Sequence, residues 1–473
     1  MRQGKSRFER FLRRLRFQLV YIVSYLFVRL YFPTRVKRDP ELKRMKGPMI
    51  VIAPHQNFLD PFFLSLSVGF RHPPRFVTTD NVINPGISER FFKWISAIPI
   101  KQFATDTTAV RNILRALKDG DVVALFPEGE RTLDGRHYRV RHTLLKIMNK
   151  GIAPIVFVSI NGAHLSWPKW AKRMSRGRVE ASSRVLFTAE EAKAATVDEI
   201  HDKIAALMDV DDFRWQFGED GIDAETVYRG KGDYAHYPER AKSKGLDHYL
   251  HFCPMCETPF AMTIRDGRHL VCAACGTEMY PRDIGSIHIF TPKTSRHADE
   301  NKSTVRRHKH KALNDVSNAR IKPKTAPIEE KLAPASWYVG TLLDWHDRQY
   351  RNTHRMFADG VEIRSRKRVR KEDALEDLPE AFVGITRDKR AYTRPIGPDE
   401  ADADTVRILD PEEDPFAAAD TVELDVTGFV YALSKYPYVQ FVCPSAGERF
   451  RFHIDNRAYA VMFADLIGNL RDD

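Results

Sequence analysis

Residues 49–60 read Met-Ile-Val-Ile-Ala-Pro-His-Gln-Asn-Phe-Leu-Asp, and the architecture of the first half of the chain can be built outward from them. Met49–Ala53 is a short, unbroken apolar run of the kind a buried strand presents. Asp121–Phe126 repeats the pattern and runs into Pro127-Glu128-Gly129. The stretches 74–79, 154–160 and 177–187 have strand character as well. Val110, Ile113, Leu114 and Leu117 form one helical face ending at Gly120, residues 141–149 look helical, and a helix over 196–208 closes the unit. Strand alternating with helix predicts an α/β domain, a mixed sheet flanked by helices.

His55 follows directly on the first strand, at the edge where open α/β sheets place their ligands. Asp60, five residues on at the start of the next helix, can fold back on the imidazole, fix its tautomer and stabilise the imidazolium. The same spacing recurs at His310/Asp315 and His354/Asp359, but neither pair follows a buried strand. The second strand delivers Phe126-Pro-Glu-Gly-Glu-Arg131. Gly129 lets an anion approach the backbone, Arg131 offers a planar fork for phosphate oxygens, and Glu128 can hold a substrate hydroxyl or orient Arg131. Ile98-Pro-Ile-Lys101 brings a further cation towards the same edge.

Taken together, the His-x4-Asp, Ile-Pro-Ile, Phe-Pro-Glu-Gly-x-Arg and Pro-Ile-Val blocks resemble, in order and spacing, the glycerolipid acyltransferase family, best known for its 1-acylglycerol-3-phosphate acyltransferases. The resemblance spans roughly residues 15–215 and includes Asp-Asp-Phe-Arg-Trp-Gln at 211–216. It implies transfer of a fatty acyl group from a thioester, acyl carrier protein or coenzyme A, to a lysophospholipid hydroxyl, with phosphatidic acid as product. His55 would be the general base and Asp60 its partner; Glu128, Gly129 and Arg131 would bind the acceptor on its phosphate side. No catalytic cofactor is implied, because the thioester supplies the leaving group. Two positions depart from the pattern: Glu130 stands where the family has Thr, and Gln102 where it has Arg, so that Lys101 would substitute. Another lysophospholipid or glycerol 3-phosphate is therefore the alternative acceptor.

Cys253-Pro-Met-Cys256 and Cys272-Ala-Ala-Cys275 are two Cys-x-x-Cys pairs 15 residues apart, with an Asp266-Gly267 hairpin signal between them. Four thiolates at this spacing suit a structural tetrahedral zinc in a ribbon, the closed shell leaving no catalytic position. Cys443 has no partner and is expected in the core. Zinc ribbons also occur in nucleic-acid proteins, so a non-catalytic membrane or nucleic-acid binding protein is the alternative of a different class.

The net charge of +12 is concentrated at the front: residues 1–46 hold 14 Lys/Arg against 3 Asp/Glu. There Leu12, Leu15, Leu19, Ile22, Leu26 and Leu30 share one helical face. The apolar run Phe17–Phe32 reaches about 24 Å as a helix, short of a ~30 Å hydrocarbon core. It is expected to lie in an anionic membrane surface with its arginines on headgroups, peripheral or monotopic on the cytoplasmic face; the alternative is a basic helix packed on its own domain or bound to nucleic acid. Composition excludes wholesale disorder, collagen and a disulfide-stapled secreted scaffold; five cysteines, four of them clustered, fit a reducing compartment.

The expected organisation is a basic interfacial helix (1–46), an acyltransferase domain (47–216), a connector (217–250), a zinc ribbon (251–285), a basic linker (286–335) and a β-rich C-terminal domain (336–473). In the last, strands over 422–431, 437–443 and 448–454 precede a helix started by Asp455 or Asn456, whose core face is Tyr459, Met462, Phe463, Leu466, Ile467 and Leu470. Strands closed by one such helix suggest a small barrel and resemble pleckstrin-homology-like domains. The dense basic run at 364–371, followed by acidic residues, is expected to be a solvated segment that neutralises itself.

Overall fold

The computed structural model describes residues 7–80, 82–83, 87–101, 106–136, 140, 142–171, 173–209, 211–217, 237, 245–253, 256, 258–265, 269–282, 286–290, 336–340, 342–371, 374–400, 406–432, 438–442, 449–454 and 457–467. Gln102, the Asp266-Gly267 turn, the basic stretch 296–326 with His310 and Asp315, Cys443, the helix start at Asp455 or Asn456, and Leu470 lie outside them.

The chain divides into two compact units. The first begins with α1 (Arg7–Tyr31), β1 (Thr34–Lys37) and α2 (Pro40–Arg44), then β2 (Met49–Ile52), α3 (Asp60–Val68), β3 (Pro74–Thr79), α4 (Ile87–Trp94), β4 (Ile98–Ile100), α5 (Thr107–Lys118) and β5 (Val122–Leu125). It continues through α6 (His142–Met148), β6 (Ile155–Asn161), α7 (Ala163–Ser166), β7 (Val179–Phe187), α8 (Ala189–Ala194), α9 (Val197–Met208) and α10 (Asp212–Phe217). One seven-stranded sheet, ordered β1-β7-β6-β2-β5-β3-β4, runs through the unit. β6, β2, β5, β3 and β4 are mutually parallel, and β7 joins antiparallel to β6, which makes the sheet mixed as expected.

Alternation along β2 and β5 explains why both read as unbroken apolar runs. Ile50, Ile52, Val123 and Leu125 pack with α5, α6 and α9 on one face. Met49, Val51, Val122 and Ala124 pack with α1 and α3 on the other. A strand covered on both sides has no wet face to carry polar residues. α5 starts where Asp106 accepts a hydrogen bond from the Ala109 N–H (2.9 Å). α8 and α9 each open on a capping box, Thr188/Glu191 and Thr196/Glu199.

α1 is fastened to its own sheet. Tyr21, Ser24, Val28 and Phe32 are buried, and α1 packs against α3. The Arg13 guanidinium pairs with buried Asp121, which also takes Arg75 (3.2 Å). Burial raises the Asp121 pKa, but the two guanidiniums outweigh it and hold this carboxyl below its usual range. Arg16 reaches the Trp94 carbonyl (3.5 Å) and Arg29 the Thr34 carbonyl (2.7 Å). These three arginines, expected on headgroups, bond within the protein. Leu15, Leu19, Ile22, Leu26 and Leu30 face outward, Leu30 with 76% of its surface exposed. No helix among the described residues is long and apolar enough to cross a membrane.

The second unit holds α11 (Leu246–Tyr249) and a five-stranded antiparallel sheet of β8 (Met262–Arg265), β9 (His269–Cys272), β10 (Glu278–Arg282), β11 (Ser286–Phe290) and β12 (Ser336–Gly340) in the order β12-β11-β10-β9-β8. β11 falls where the basic linker was expected to begin, and β12 at the start of the C-terminal domain, so one sheet bridges the two spans. After α12 (Leu342–Met356) come β13 (Gly360–Lys371), β14 (Ala374–Thr386), β15 (Ala391–Pro395), β16 (Val406–Ile408), β17 (Val422–Ala432), β18 (Tyr438–Val442), β19 (Arg449–His453) and α13 (Arg457–Ile467). The strand order β14-β15-β17-β18-β19-β13, with β13 paired again to β14, closes a barrel. Its core includes Phe441, Phe452, Met462, Phe463, Leu466 and Ile467. The basic run at 364–371 is the outer half of β13, and its backbone register sets Arg366 against Glu380 and Arg368 against Asp377. Arg364, at the start of the run, pairs with Glu380 of β14 (3.0 Å).

Candidate active site

β2 and β5 are neighbours, so the loops leaving their C-terminal ends meet at one rim of the sheet. His55 Nδ1 lies 2.9 Å from Asp60 Oδ2, and Asp60 is fully buried at the start of α3. The same oxygen accepts the Gln56 N–H (2.6 Å) and the Asn57 N–H (2.8 Å). One carboxylate thus folds the loop back on itself and orients the ring. With Nδ1 turned to Asp60, Nε2 is the nitrogen left to accept a proton.

The second loop holds His55 from the other side. Glu128 Oε1 accepts the His55 N–H (2.7 Å), and the Thr132 N–H donates to the His55 carbonyl (2.9 Å). The ring stacks on Phe126, centroids 4.1 Å apart and 16° from coplanar. Glu128, expected at substrate or on Arg131, has its carboxylate on the backbone of the base. Gly129 turns the loop with a positive φ of 81°, and Glu130 is buried beside it.

Arg131 lies over the exposed ring of Phe58, 6.0 Å to its centroid, and Phe58 meets Trp167 edge-on. Burial lowers the His55 pKa; Asp60 opposes this, and the positive charges of Arg131 and Lys169 reinforce it. Lys169 is a cation that no motif pointed to, being fourteen residues beyond the start of β6 and outside every recognised block. Lys101 caps β4, three strands from β2, or about 14 Å away at ordinary strand spacing. It shares the rim with His55, while its backbone N–H bonds Asp106 (3.0 Å). Asn57, Thr132 and Lys169 are the contributors that motif spacing missed, because their roles depend on backbone partners brought in from other strands. Of the decoys, His354 bonds the Asp465 carbonyl (3.0 Å) and stacks near Tyr350, which makes it structural.

In the second unit Cys253, Cys256, Cys272 and Cys275 bring four sulfurs within 4.8 Å of one another. The Cys253–Cys275 and Cys256–Cys272 separations are both 3.7 Å. Four sulfurs about 2.3 Å from one tetrahedral centre lie roughly 3.8 Å apart, so the cluster fits a metal. The two knuckles are built alike. Thr258 accepts the Cys253 N–H and Thr277 the Cys272 N–H, and each hydroxyl lies 3.1 Å from the following cysteine sulfur. The hydrogen bond from Cys253 holds the Cys256 thiol below its usual range. The turn entering the ribbon is tied to α12: Gln349 Oε1 accepts the N–H groups of His251 (2.6 Å) and Phe252 (3.3 Å). Gln349 Nε2 reaches the Tyr249 carbonyl and Asp465 of α13, which also holds His346 (3.1 Å).

Residues 33–161 match the family model described as Acyltransferase, a span that contains His55, Asp60, Glu128 and Arg131. Among solved structures, the 1-acyl-sn-glycerophosphate (LPA) acyltransferase PlsC from Thermotoga maritima is similar at 22% identity, covering 40% of this chain and 78% of that one, with a TM-score of 0.33.

Proposed function

We propose that this acyltransferase domain moves a fatty acyl group from a thioester of acyl carrier protein or coenzyme A to the sn-2 hydroxyl of 1-acylglycerol 3-phosphate, at a membrane surface. The observation that carries the reading is the oriented His55–Asp60 pair, standing at the rim where the charge of Arg131 also bears on it.

An alcohol is a weak nucleophile at neutral pH. His55 Nε2 takes the hydroxyl proton as the oxygen attacks the thioester carbonyl, and Asp60 stabilises the imidazolium that forms. Collapse of the tetrahedral intermediate breaks the C–S bond, and the imidazolium returns its proton to the departing thiolate. Arg131, with Lys169 near the same imidazole, supplies positive charge for the acceptor's phosphate. Glu128 and Thr132 hold the backbone of the base so that its nitrogen stays aimed. The four cysteines hold a structural zinc outside the reaction.

Assay of the purified protein with vesicles, either donor and a panel of acceptors tests the assignment. Acylglycerol 3-phosphate is expected to turn over fastest; equal turnover of a choline-headed acceptor, whose phosphate is a diester, rejects a site that selects the terminal phosphomonoester. The outward leucines of α1 fit the acyl region of a cytoplasmic membrane face. Leu19→Glu with Leu26→Glu is expected to weaken vesicle binding at least tenfold without lowering the melting temperature, since each leucine contributes roughly 1.5–3 kcal/mol on burial. Co-sedimentation measures this, and undiminished binding means another surface meets the lipid.

A further inference from the structure

Asn57 and Asp212 grip one short turn from opposite sides. α7 leaves β6 through Gly162, whose φ of 80° and surroundings admit no side chain: a Cβ there would stand 2.3 Å from the Arg178 carbonyl. Asp212, fully buried at the start of α10, accepts the Gly162 N–H on Oδ1 (2.7 Å) and the His164 N–H on Oδ2 (2.9 Å). From the other side the Asn57 amide donates to the Ala163 carbonyl (2.5 Å). Asn57 belongs to the catalytic loop twice over: its N–H is on Asp60 and its Oδ1 accepts the Leu59 N–H (2.6 Å).

The same turn touches the second loop. His164 packs so closely on Gly135 that a Cβ there would come within 2.9 Å of its ring. Thr132 Oγ1 accepts the Gly135 N–H (3.0 Å), and Thr132 is the residue whose N–H holds the His55 carbonyl. Both loops that fix the base are therefore registered against residues 162–166. That turn takes its position from a carboxylate lying 157 residues beyond His55.

We propose that Asp212 is a positioning residue for acyl transfer, acting through the 162–166 turn and Asn57 on the His55–Asp60 loop. This rests on His55 being the base. An amide at position 212 has one acceptor oxygen instead of two, so the turn loses at least one anchoring bond and the loop loosens. A displacement of about 1 Å in such a constellation costs on the order of 10²-fold in rate.

The experiment uses the full chain and three variants, Asp212→Asn, Asn57→Ala and the double, each checked by its melting curve. Acyl transfer gives kcat and KM. Carbethoxylation of His55 against pH, followed by peptide mass, reports the ring independently of turnover. Asp212→Asn is expected to lower kcat about 10- to 100-fold with acceptor KM within about twofold. It should also move the His55 titration midpoint up towards an ordinary imidazole as water reaches the ring. Should that variant not fold, Asn57→Ala reads the same relay from its other end and should show both changes. The double variant is expected to be no slower than the slower single. A folded Asp212→Asn, or a folded Asn57→Ala, with unchanged kcat and unchanged titration overturns the proposal, as do effects that multiply in the double. If His55→Ala stays active while Asp212→Asn still shifts the His55 titration, the base assignment fails and the relay stands.

Discussion

His55→Ala is expected to lower acyl transfer by about 10²–10⁴-fold, the usual worth of a positioned general base. The substitution removes the imidazole and leaves the loop in place, because the loop is held by backbone bonds. Asp60 still accepts the N–H groups of residues 56 and 57, Glu128 that of residue 55, and Thr132 still donates to its carbonyl. Vesicle binding and metal content should therefore match the unmodified protein. In the unmodified protein, burial holds the imidazole pKa below its usual 6.5, so the base remains neutral into mildly acidic solution. The rising limb of kcat/KM should accordingly lie below pH 6.5. Full activity of the alanine variant, or a limb well above 7, removes His55 from the reaction as its base; absence of acyl transfer by the unmodified protein with either donor favours a non-catalytic binding protein.

Stripping the metal is expected to unfold the ribbon and to loosen the barrel's helical cap with it. Strands β8 and β9 are four residues each, so bonds from a metal to the four cysteine sulfurs would supply much of the ribbon's folding free energy; zinc-finger peptides gain about 10–16 kcal/mol this way. The entering turn donates two backbone N–H groups to Gln349 Oε1, and Gln349 shares Asp465 with His346. When the turn goes, a buried amide oxygen in α12 loses both partners, costing about 1–3 kcal/mol. Hydrogen exchange after chelation, or in Cys272→Ser, should rise across 250–282 and then in 342–356 and 460–467. Residues 49–52 and 122–125, whose strands are covered on both faces within their own unit, should keep their protection. Unchanged exchange at 250–282 means the cysteines do not fold the ribbon through a metal.

Much of this was legible beforehand where one physical rule dominated. Apolar runs at 49–53 and 121–126 became adjacent parallel strands, and the Val110–Leu117 face became a helix ending at Gly120. Pairing of His55 with Asp60 followed from their spacing directly behind a buried strand, a context that the two decoy pairs lack. The bond from the His55 N–H to Glu128 was not legible in the sequence, because only the adjacency of β2 and β5 brings the two loops together. The front-end arginines misled for a similar reason, since Asp121 lies more than a hundred residues from Arg13. Sequence periodicity marks which side of a helix is apolar, but not which side its own sheet covers. The basic run in β13 carried no strand signal because the strands it pairs with, β14 and β19, are set by the fold and not by its own residues.

α1 is clamped at two levels, by Asp121 near its beginning and by Tyr21, Val28 and Phe32 further along. It has no freedom to swing away from the sheet. Whatever plane receives its leucines therefore dictates the tilt and depth of the catalytic rim, as a keel dictates the attitude of a hull. On the proposed membrane reading, reach towards a lipid is set by how this one helix is fixed to the sheet, and lengthening or hinging it is expected to decouple docking from turnover.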